Sequence, residues 1–453
     1  MALPPGPKLP APLITLSWLR RPYPFLDETA ARFGDTFTIH LVGLPPLVFF
    51  SNPDHVREVF QDDGEVMAAG RFNRSLAPLL GDRSVLMTDG AAHRRKRKLL
   101  MPPFHGERMQ AYGRAMLELT DRAIDGMPRD EPFALHSVMQ DITLHVIVRT
   151  VFGLEDGPKF REMCERLKRI LELGAWAPLL LPFMQVDLGN WSPYGRFRAA
   201  VRAGDELFYA DLRARRASGE RGADILSLLL DARDEDGEPI GDDELRDELV
   251  TLLVAGHETT ATALTWAMRW LLSQPSTFAD LRAEVDTLGE HPTPEGIAKL
   301  ELLDAAAREA LRLVPVIPLV GRYLQRPIRL GGHDLPEGCV VCCSIYLAHR
   351  RPDVWDRPAE FDPTRFLGKK FSPAEFLPFG GGIRRCIGAA FALYEMKMVL
   401  ARLVARLDLR LAGRREVRMV RRAITITPSE GLTVTARPRV ARATKTAQAT
   451  VSA

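Results

Sequence analysis

One cysteine near the C-terminus of this chain lies in a setting that suits a thiolate ligand. Cys386 follows a glycine-rich run and the cations Arg384 and Arg385, and it precedes residues 389–396, which read as a helix. The positive end of a helix dipole and nearby cations both favour the charged form of a thiol. Glycines let a flat, metal-bearing cofactor approach the backbone closely. The pattern therefore indicates axial ligation of haem iron by Cys386.

Three other readings of this segment stay open on the residues alone. A single cysteine among apolar neighbours is most often an inert core residue. A dinucleotide-binding G-x-G-x-x-G begins at Gly380 and Gly382, but its third glycine position is Arg385 and no clear strand precedes it. Zinc is disfavoured, because the C-x-x-C of Cys339 and Cys342 lies in a valine-rich, strand-like run without a second pair.

A second chemical pattern lies inside a long apolar segment. Residues 242–273 predict one helix that crosses the core, and its middle carries Glu258 and Thr259 directly after Ala255, Gly256 and His257. A threonine that bonds back to a carbonyl one turn earlier loosens a helix, so we expect a local opening here. A carboxylate and a hydroxyl at such an opening would form a proton path to a bound ligand. The alternative is a surface glutamate beside packing threonines.

Two further groups of charged residues are weak signals when taken alone. Glu309 and Arg312 are three residues apart on a predicted helix, and most such pairs are solvated surface bridges. Residues 93–98 form a basic run that could be a helix face turned toward water or toward an acidic partner. Neither group identifies a function without further context.

Taken in order along the chain, these motifs resemble those of the cytochrome P450 superfamily. Its haem loop has the pattern F-x-x-G-x-R-x-C-x-G, and the five matching residues are Phe379, Gly382, Arg384, Cys386 and Gly388. The segment with Glu258 and Thr259 is similar to the family's oxygen-activation motif. The resemblance extends over residues 4–434.

The resemblance implies roles for the other charged residues. It implies a structural ion network behind the haem, formed by Glu309, Arg312 and Arg365. It also implies contacts to the haem propionates, which need cationic or donor partners. The residues implied are His93, Arg97, Arg322 and Arg384. His349 lies in a family-like stretch, for which we expect a structural role.

The function implied by the resemblance is that of a haem-thiolate monooxygenase with haem b. Such an enzyme would activate O2 with two electrons from a separate ferredoxin or flavodoxin and its reductase. It would hydroxylate or epoxidise a lipophilic molecule of the fatty acid, terpenoid, steroid or macrolide type. Predicted pocket residues are Ala255, Val316, Leu319 and Ile426. The alternatives are a peroxide-driven peroxygenase, which the acid–alcohol pair disfavours, and a haem protein without turnover.

The length, net charge and cysteine content of the chain limit these interpretations. The chain has 453 residues and a net charge of only +3, which gives no support to nucleic-acid binding. Five cysteines, an odd number, favour a reducing compartment over a disulfide scaffold. The sequence predicts neither a secretory signal nor a transmembrane segment. We therefore expect a cytoplasmic, monomeric protein.

Helices predominate among the elements that must position these residues. Amphipathic stretches predict helices over 107–127, 137–152, 158–173 and 194–217, and residues 37–52 predict a hairpin. Residues 175–191 read as an apolar loop or short helices, and 232–243 as a solvated loop. The predicted class is mainly α with small β-sheets. It would form one domain over 1–441, with a β-rich N-terminal lobe, a larger helical lobe and a disordered tail at 442–453.

Overall fold

The structure is a computed structural model that describes most of the chain. The described residues are 3–104, 106, 108–176, 179, 184–413, 416–422 and 424–439. The predicted disordered tail at 442–453, and part of the apolar segment 175–191, lie outside these residues.

Helices make up most of the described chain, as predicted. They are α1 (Ala11–Arg20), α2 (Pro22–Phe33), α3 (Pro53–Gln61), α4 (Ala69–Phe72), α5 (Ala77–Leu80), α6 (Gly90–Leu100), α7 (Arg108–Asp125), α8 (Leu135–Phe152), α9 (Pro158–Gly174), α10 (Pro193–Ser218), α11 (Ile225–Asp231), α12 (Asp242–Leu271), α13 (Pro275–Asp286), α14 (Pro294–Ala298), α15 (Glu301–Leu313), α16 (Ile345–Ala348) and α17 (Ala389–Arg406). The predicted helix bounds agree to within about two residues at most ends, because helical periodicity is a strong signal in long segments.

The strands are short and belong to several small sheets. They are β1 (Thr36–Ile39), β2 (Leu47–Phe50), β3 (Met67–Ala68), β4 (Phe133–Ala134), β5 (Leu319–Leu324), β6 (Ile328–Leu330), β7 (His333–Leu335), β8 (Val340–Ser344), β9 (Leu407–Leu411), β10 (Met419–Arg422), β11 (Thr425–Pro428) and β12 (Thr433–Pro438). The fold class, mainly α with small β-sheets, is confirmed.

The largest sheet joins the N-terminal part of the chain to its C-terminal third. Its strand order is β1-β2-β8-β5-β3, and β1 and β2 form the predicted antiparallel hairpin. The β2–β8 pair is parallel, whereas β5 runs antiparallel to both of its neighbours. In this sheet β5, which carries Arg322, pairs with β3, a strand that lies more than two hundred residues earlier in the sequence.

The 30-residue helix α12 is the central element of the helical part. It packs along α8, α15 and α17, and its second half is buried from Thr260 to Met268. Gly256 allows the close approach to α8, because a Cβ there would lie 3.0 Å from the side chain of Ile147. Burial on nearly all sides compensates for the low helix propensity of the threonines in this segment.

Candidate active site

The loop that ends at Cys386 is a tight turn closed by its own backbone. The Cys386 N–H donates to the Phe379 carbonyl at 2.9 Å, and Gly380 and Gly382 adopt φ of +64° and +61°. A Cβ at Gly382 would lie 2.0 Å from the backbone oxygen of Phe60. Position 382 therefore needs glycine for two independent reasons, its backbone conformation and its close approach to α3.

Cys386 faces an interior cleft. Its side chain has exposed surface, yet protein surrounds it closely enough for burial to raise the pKa of the thiol. The Gly388 N–H and the charges of Arg97 and Arg385 act in the opposite direction and offset only part of this effect. The neighbouring cations do act in favour of a thiolate, as the sequence predicts. Burial prevails over the neighbouring cations, and a metal bound to the sulfur would be needed to hold the thiolate form.

One turn of helix α12 keeps exposed surface in the interior of the protein. Ala255 is exposed although Leu253 and His257 are buried, so the helix borders a cleft at this point. The Glu395 carboxyl on α17 hydrogen-bonds Thr260, which holds the first half of α17 against this segment of α12. Helix α17, which begins shortly after Cys386, packs against α12.

Helix α12 is continuous through this segment. The predicted break in its backbone hydrogen bonding is absent from it. Thr259 does bond back: its hydroxyl donates to the Ala255 carbonyl at 2.5 Å. A carbonyl oxygen has two lone pairs, so it can accept the hydroxyl while it keeps its place in the helix. The proton path that we predicted here would have to run through side chains.

Glu258 lies on α12, and its carboxylate faces α8 and β10. Its Oε2 accepts from Gln140 Nε2 at 2.7 Å, and its Oε1 lies 3.4 Å from His136 Nε2 and 3.6 Å from Arg422 Nε. Burial raises the pKa of Glu258, but the neighbouring His136 and Arg422 lower it by more. The net pKa is below the ordinary value, so Glu258 is held ionised.

A group of cations converges near α6. His93 and Arg97 lie on α6, Arg322 lies on β5, and Arg384 lies in the cysteine loop. Burial, followed by the charges of neighbouring guanidinium groups, lowers the pKa of His93 to about 3. Burial likewise lowers the pKa of Arg384 to about 10, although Asp89 raises it. These shifts show that several positive charges share a poorly hydrated space.

The hydrogen bonding of this cluster suits an anionic group. Arg384 pairs with Asp89, and Arg97 donates to the Arg385 carbonyl at 2.6 Å. Among the described residues, His93 Nδ1 and Arg384 Nε are buried without a hydrogen-bond partner. Asp89 supplies one negative charge against three guanidinium groups. Two carboxylates, such as the propionates of haem, would balance the charge and satisfy these atoms, so the residues fit that cofactor.

The third predicted group is brought together behind the cysteine loop. Arg312 donates to Glu309 through Nε at 2.6 Å and through Nη2 at 2.7 Å, and both side chains are fully buried. Arg365 Nε and the Asp362 N–H donate to the same carboxylate at 3.0 and 2.9 Å. His349, for which we expected a structural role, accepts through Nε2 from the Leu377 N–H at 2.9 Å.

Comparison with known proteins agrees with this geometry. The family model "Cytochrome P450" matches residues 4–435. The chain belongs to the cytochrome P450 family. Cytochrome P450 135B1 of Mycobacterium tuberculosis is 38% identical over 457 residues, with 100% of this chain and 94% of that protein covered. Cytochrome P450 135A1 of the same species is 36% identical, with coverage of 95% and 94%.

A solved structure extends the likeness to the fold. The cyanobacterial CYP120A1, solved with retinoic acid bound, superposes with a TM-score of 0.85 at 26% identity and covers 97% of this chain and 100% of its own. This chain is accordingly an oxidoreductase of the P450 monooxygenase class, with haem as cofactor and the Cys386 thiolate as axial ligand. No helix among the described residues is long and apolar enough to cross a membrane.

The structure also identifies a pocket beside α12 that differs from the one predicted. Its walls are largely aliphatic and include Leu79, Leu144, Ile170, Phe208, Val250 and Val254. Asp205 and Arg246 also line it, and they pair at 2.7 Å. This ionic pair was missed because its two residues lie on separate helices, 41 positions apart.

The four predicted pocket residues do not line this pocket. Ala255 borders the cleft described above, and Leu319 is half-buried at the start of β5. Val316 is buried, and its carbonyl accepts from the Ile426 N–H at 3.2 Å. Ile426 has no exposed surface and packs in a core with Trp266.

The basic helix α6 is paired with acids of the same chain. Arg95 Nε lies 2.8 Å from Asp234, Lys98 lies 2.7 Å from Glu235, and Lys96 contacts Glu244 and the buried Glu248 of α12. The segment at 232–243, which we predicted to be a solvated loop, therefore packs against α6. Its acidic composition reflects that partner as well as contact with water.

Proposed function

We propose that this P450 uses O2 and electrons from a separate ferredoxin or flavodoxin to hydroxylate or epoxidise a lipophilic small molecule. The observation that supports the proposal is the pair Glu258 and Thr259 on α12, next to Ala255, which keeps exposed surface on an otherwise largely buried helix. A peroxide-driven enzyme receives its oxygen already protonated and has no need of such a pair. A haem protein without turnover would not need it either.

Each residue of the site has a defined task in this reading. The Arg97, Arg322 and Arg384 guanidinium groups and His93 would hold the propionates. Haem supplies the oxygen-activating redox chemistry when bound, and a thiolate ligand favours O–O cleavage. Thr259 Oγ1, which now donates to the Ala255 carbonyl, can accept a proton from Glu258 through a free lone pair while it releases its own hydroxyl hydrogen toward the bound ligand, so the alcohol stays neutral.

The substrate class rests on the walls of the pocket and on the structural neighbour. The cavity itself has room for about one water molecule, and its mostly aliphatic walls favour apolar surface. CYP120A1 was solved with retinoic acid, a lipophilic molecule with a polar end. These observations support a fatty acid, terpenoid, steroid or macrolide type of substrate.

The redox partner would bind near the first half of α7. Arg108, Arg114 and Arg385 are exposed and have no ion-pair partner among the described residues. Tyr112 of α7 contacts Phe391, five residues after Cys386, with ring centroids 5.8 Å apart. This surface offers unpaired positive charge close to the cysteine loop, whereas the cations of α6 are already paired. It suits an acidic ferredoxin or flavodoxin.

One experiment tests the proposed reaction. Purified protein, loaded with haem, is first screened for ligand-induced spectral shifts with a lipophilic library. Hits are then incubated with NAD(P)H, a surrogate ferredoxin and its reductase, or with hydrogen peroxide alone. We expect product only with the electron-transfer proteins, and product formed equally well from peroxide would refute the proposal.

Charge reversal then distinguishes the two basic surfaces. Arg385→Glu should slow reduction by the ferredoxin and weaken its dependence on salt, because exposed charges steer association. Lys98→Glu is the matched control, since Lys98 is already paired with Glu235. Equal slowing by both variants would contradict the assignment of the docking surface to the α7 side.

A further inference from the structure

The acid of the active site has a partner that is not part of the acid–alcohol pair. His136 of α8 is buried, and its Nε2 lies 3.4 Å from Glu258 Oε1. Within the described part of the chain, neither of these two atoms makes a hydrogen bond of ordinary geometry, although they lie within hydrogen-bond distance of each other. The other carboxylate oxygen of Glu258 accepts from Gln140. One edge of the carboxylate therefore faces one ring nitrogen.

The hydrogen bond on the far side of the ring determines what that nitrogen carries. His136 Nδ1 lies 3.1 Å from Thr265 Oγ1. The Thr265 hydroxyl has a single hydrogen and donates it to the Ala261 carbonyl at 2.7 Å. It can therefore only accept from His136, so Nδ1 carries a hydrogen.

This assignment has a consequence for the facing atoms. A neutral imidazole carries hydrogen on one nitrogen only, so Nε2 would present a lone pair to the ionised carboxylate. Two lone pairs that face each other in a buried site repel. The arrangement is favourable only when a proton lies between Nε2 and Oε1, either on the imidazole or on the carboxyl group.

The surrounding charges decide where the proton lies at rest. Arg422 of β10 faces Glu258 at 3.6 Å, and burial lowers the pKa of His257 to about 4, so that ring is neutral. The charge of Asp141 on α8 raises the pKa of His257, but by less than burial lowers it. His136 and Glu258 are therefore the pair that shares a proton at this edge.

We infer that His136 is a proton-storing and positioning residue that acts through Glu258, an inference that rests on the proposed O2-dependent function. In turnover the Nε2–H bond of His136 breaks and an O–H bond forms on Glu258 Oε1. After rotation of its side chain, Glu258 passes that proton to Thr259 Oγ1, and the Thr259 hydroxyl releases its own hydrogen toward the bound ligand, so that Thr259 is again neutral and Glu258 again ionised. Solvent then returns a proton to His136 along the side of Arg422, whose side chain is 33% exposed.

The stored proton can be tested without turnover. In the reduced, carbonyl-bound holoenzyme, which is diamagnetic, 15N NMR of labelled histidine reports both ring nitrogens, and His136→Gln assigns the signals. Infrared spectroscopy reports whether Glu258 is a carboxylic acid, with Glu258→Gln as the assignment control. At about neutral pH we expect a hydrogen on Nδ1 together with one proton on the shared edge. A neutral ring with hydrogen on Nε2 would overturn the inference.

Turnover then tests the role in proton delivery. His136→Gln keeps a group that can donate to Glu258 but cannot release a proton. We expect the product formed per electron pair to fall about tenfold and the solvent isotope effect to rise. A positioned proton donor typically contributes a factor of about 10²–10⁴ to a rate, so the expected fall is a partial loss of that contribution. Substrate binding and the carbonyl spectrum should not change.

A double-variant comparison shows whether His136 works through Glu258. The double variant His136→Gln/Glu258→Gln should be no worse than Glu258→Gln alone, whereas additive losses would place the effect of His136 elsewhere. Gln140→Met is the matched control: it removes a hydrogen bond from the same carboxylate but no proton, so the isotope effect should stay unchanged. If wild type forms no product with the redox partners, the proposed function fails, and the NMR result stands separately.

Discussion

The ion network behind the cysteine loop offers the sharpest test of how this fold is stabilised. Glu309→Gln preserves the volume of the side chain but removes the negative charge that faces Arg312 and Arg365. The Arg312 guanidinium has no exposed surface and keeps only carbonyl partners, those of His349, Pro358 and Glu360. The variant therefore leaves a buried cation without a counter-ion.

The expected loss follows from that burial. Removing one partner of a buried pair typically costs about 3–5 kcal/mol, because the remaining charge has already lost its hydration. Arg365→Met removes the bond to Glu309 at 3.0 Å and three exposed bonds to backbone carbonyls, which water can replace, and it leaves the Glu309–Arg312 pair intact, so about 1.5–3 kcal/mol is expected. Glu28→Gln breaks an exposed pair with Arg21 and should cost less than about 1 kcal/mol.

The assay is urea unfolding of the haem-loaded protein, followed by circular dichroism and by the haem absorbance. Since a bound cofactor can separate the two transitions, both midpoints are compared among the variants. The expected order of destabilisation is Glu309→Gln, then Arg365→Met, then Glu28→Gln. A Glu309→Gln protein as stable as Glu28→Gln would refute the argument from buried charge.

Four further expectations concern the site and its surroundings. Cys386→Ser should lose the red-shifted Soret band that a thiolate ligand gives to the reduced carbonyl complex, and a wild-type band of imidazole type would contradict the ligand assignment. Thr259→Ala should raise peroxide or water formation per electron pair, and unchanged coupling would reject its role in proton delivery. Gly382→Ala should weaken haem retention because of its φ and its contact with the α3 backbone, whereas Gly241→Ala, with ordinary φ and open space, should not. Burial raises the pKa of Glu248 to about 7, so the folded state binds more protons than the unfolded state between about pH 4.5 and 7. Its contribution to stability is therefore full below this range and lost as pH rises through it, and Glu248→Gln should flatten that part of a stability–pH curve.

Local patterns in the sequence predict much of this fold. Helix α12, the β1–β2 hairpin and the turn before Cys386 follow from apolar periodicity and from glycines, which act over a few residues. The cysteine motif likewise lies within ten residues. Elements of this kind need no knowledge of what packs against them.

Features that depend on tertiary contacts were beyond prediction. Gln140 and Glu258 are 118 positions apart, so the surroundings of Glu258 appear only once α8 packs on α12. The acids that pair with α6 looked like a solvated loop for the same reason. The raised pKa of Cys386 depends on how deeply the loop is enclosed, which neighbouring residues in the sequence do not reveal.

The cations that converge near His93 also bear on how the protein assembles. Arg97, Arg322 and Arg384 come from parts of the chain that are synthesised early and late, and they meet in a poorly hydrated space. Bringing three like charges together opposes folding until an anion joins them. A dianionic cofactor would therefore act as the counter-ion that completes the tertiary structure, and its arrival would be a folding step as well as a binding step.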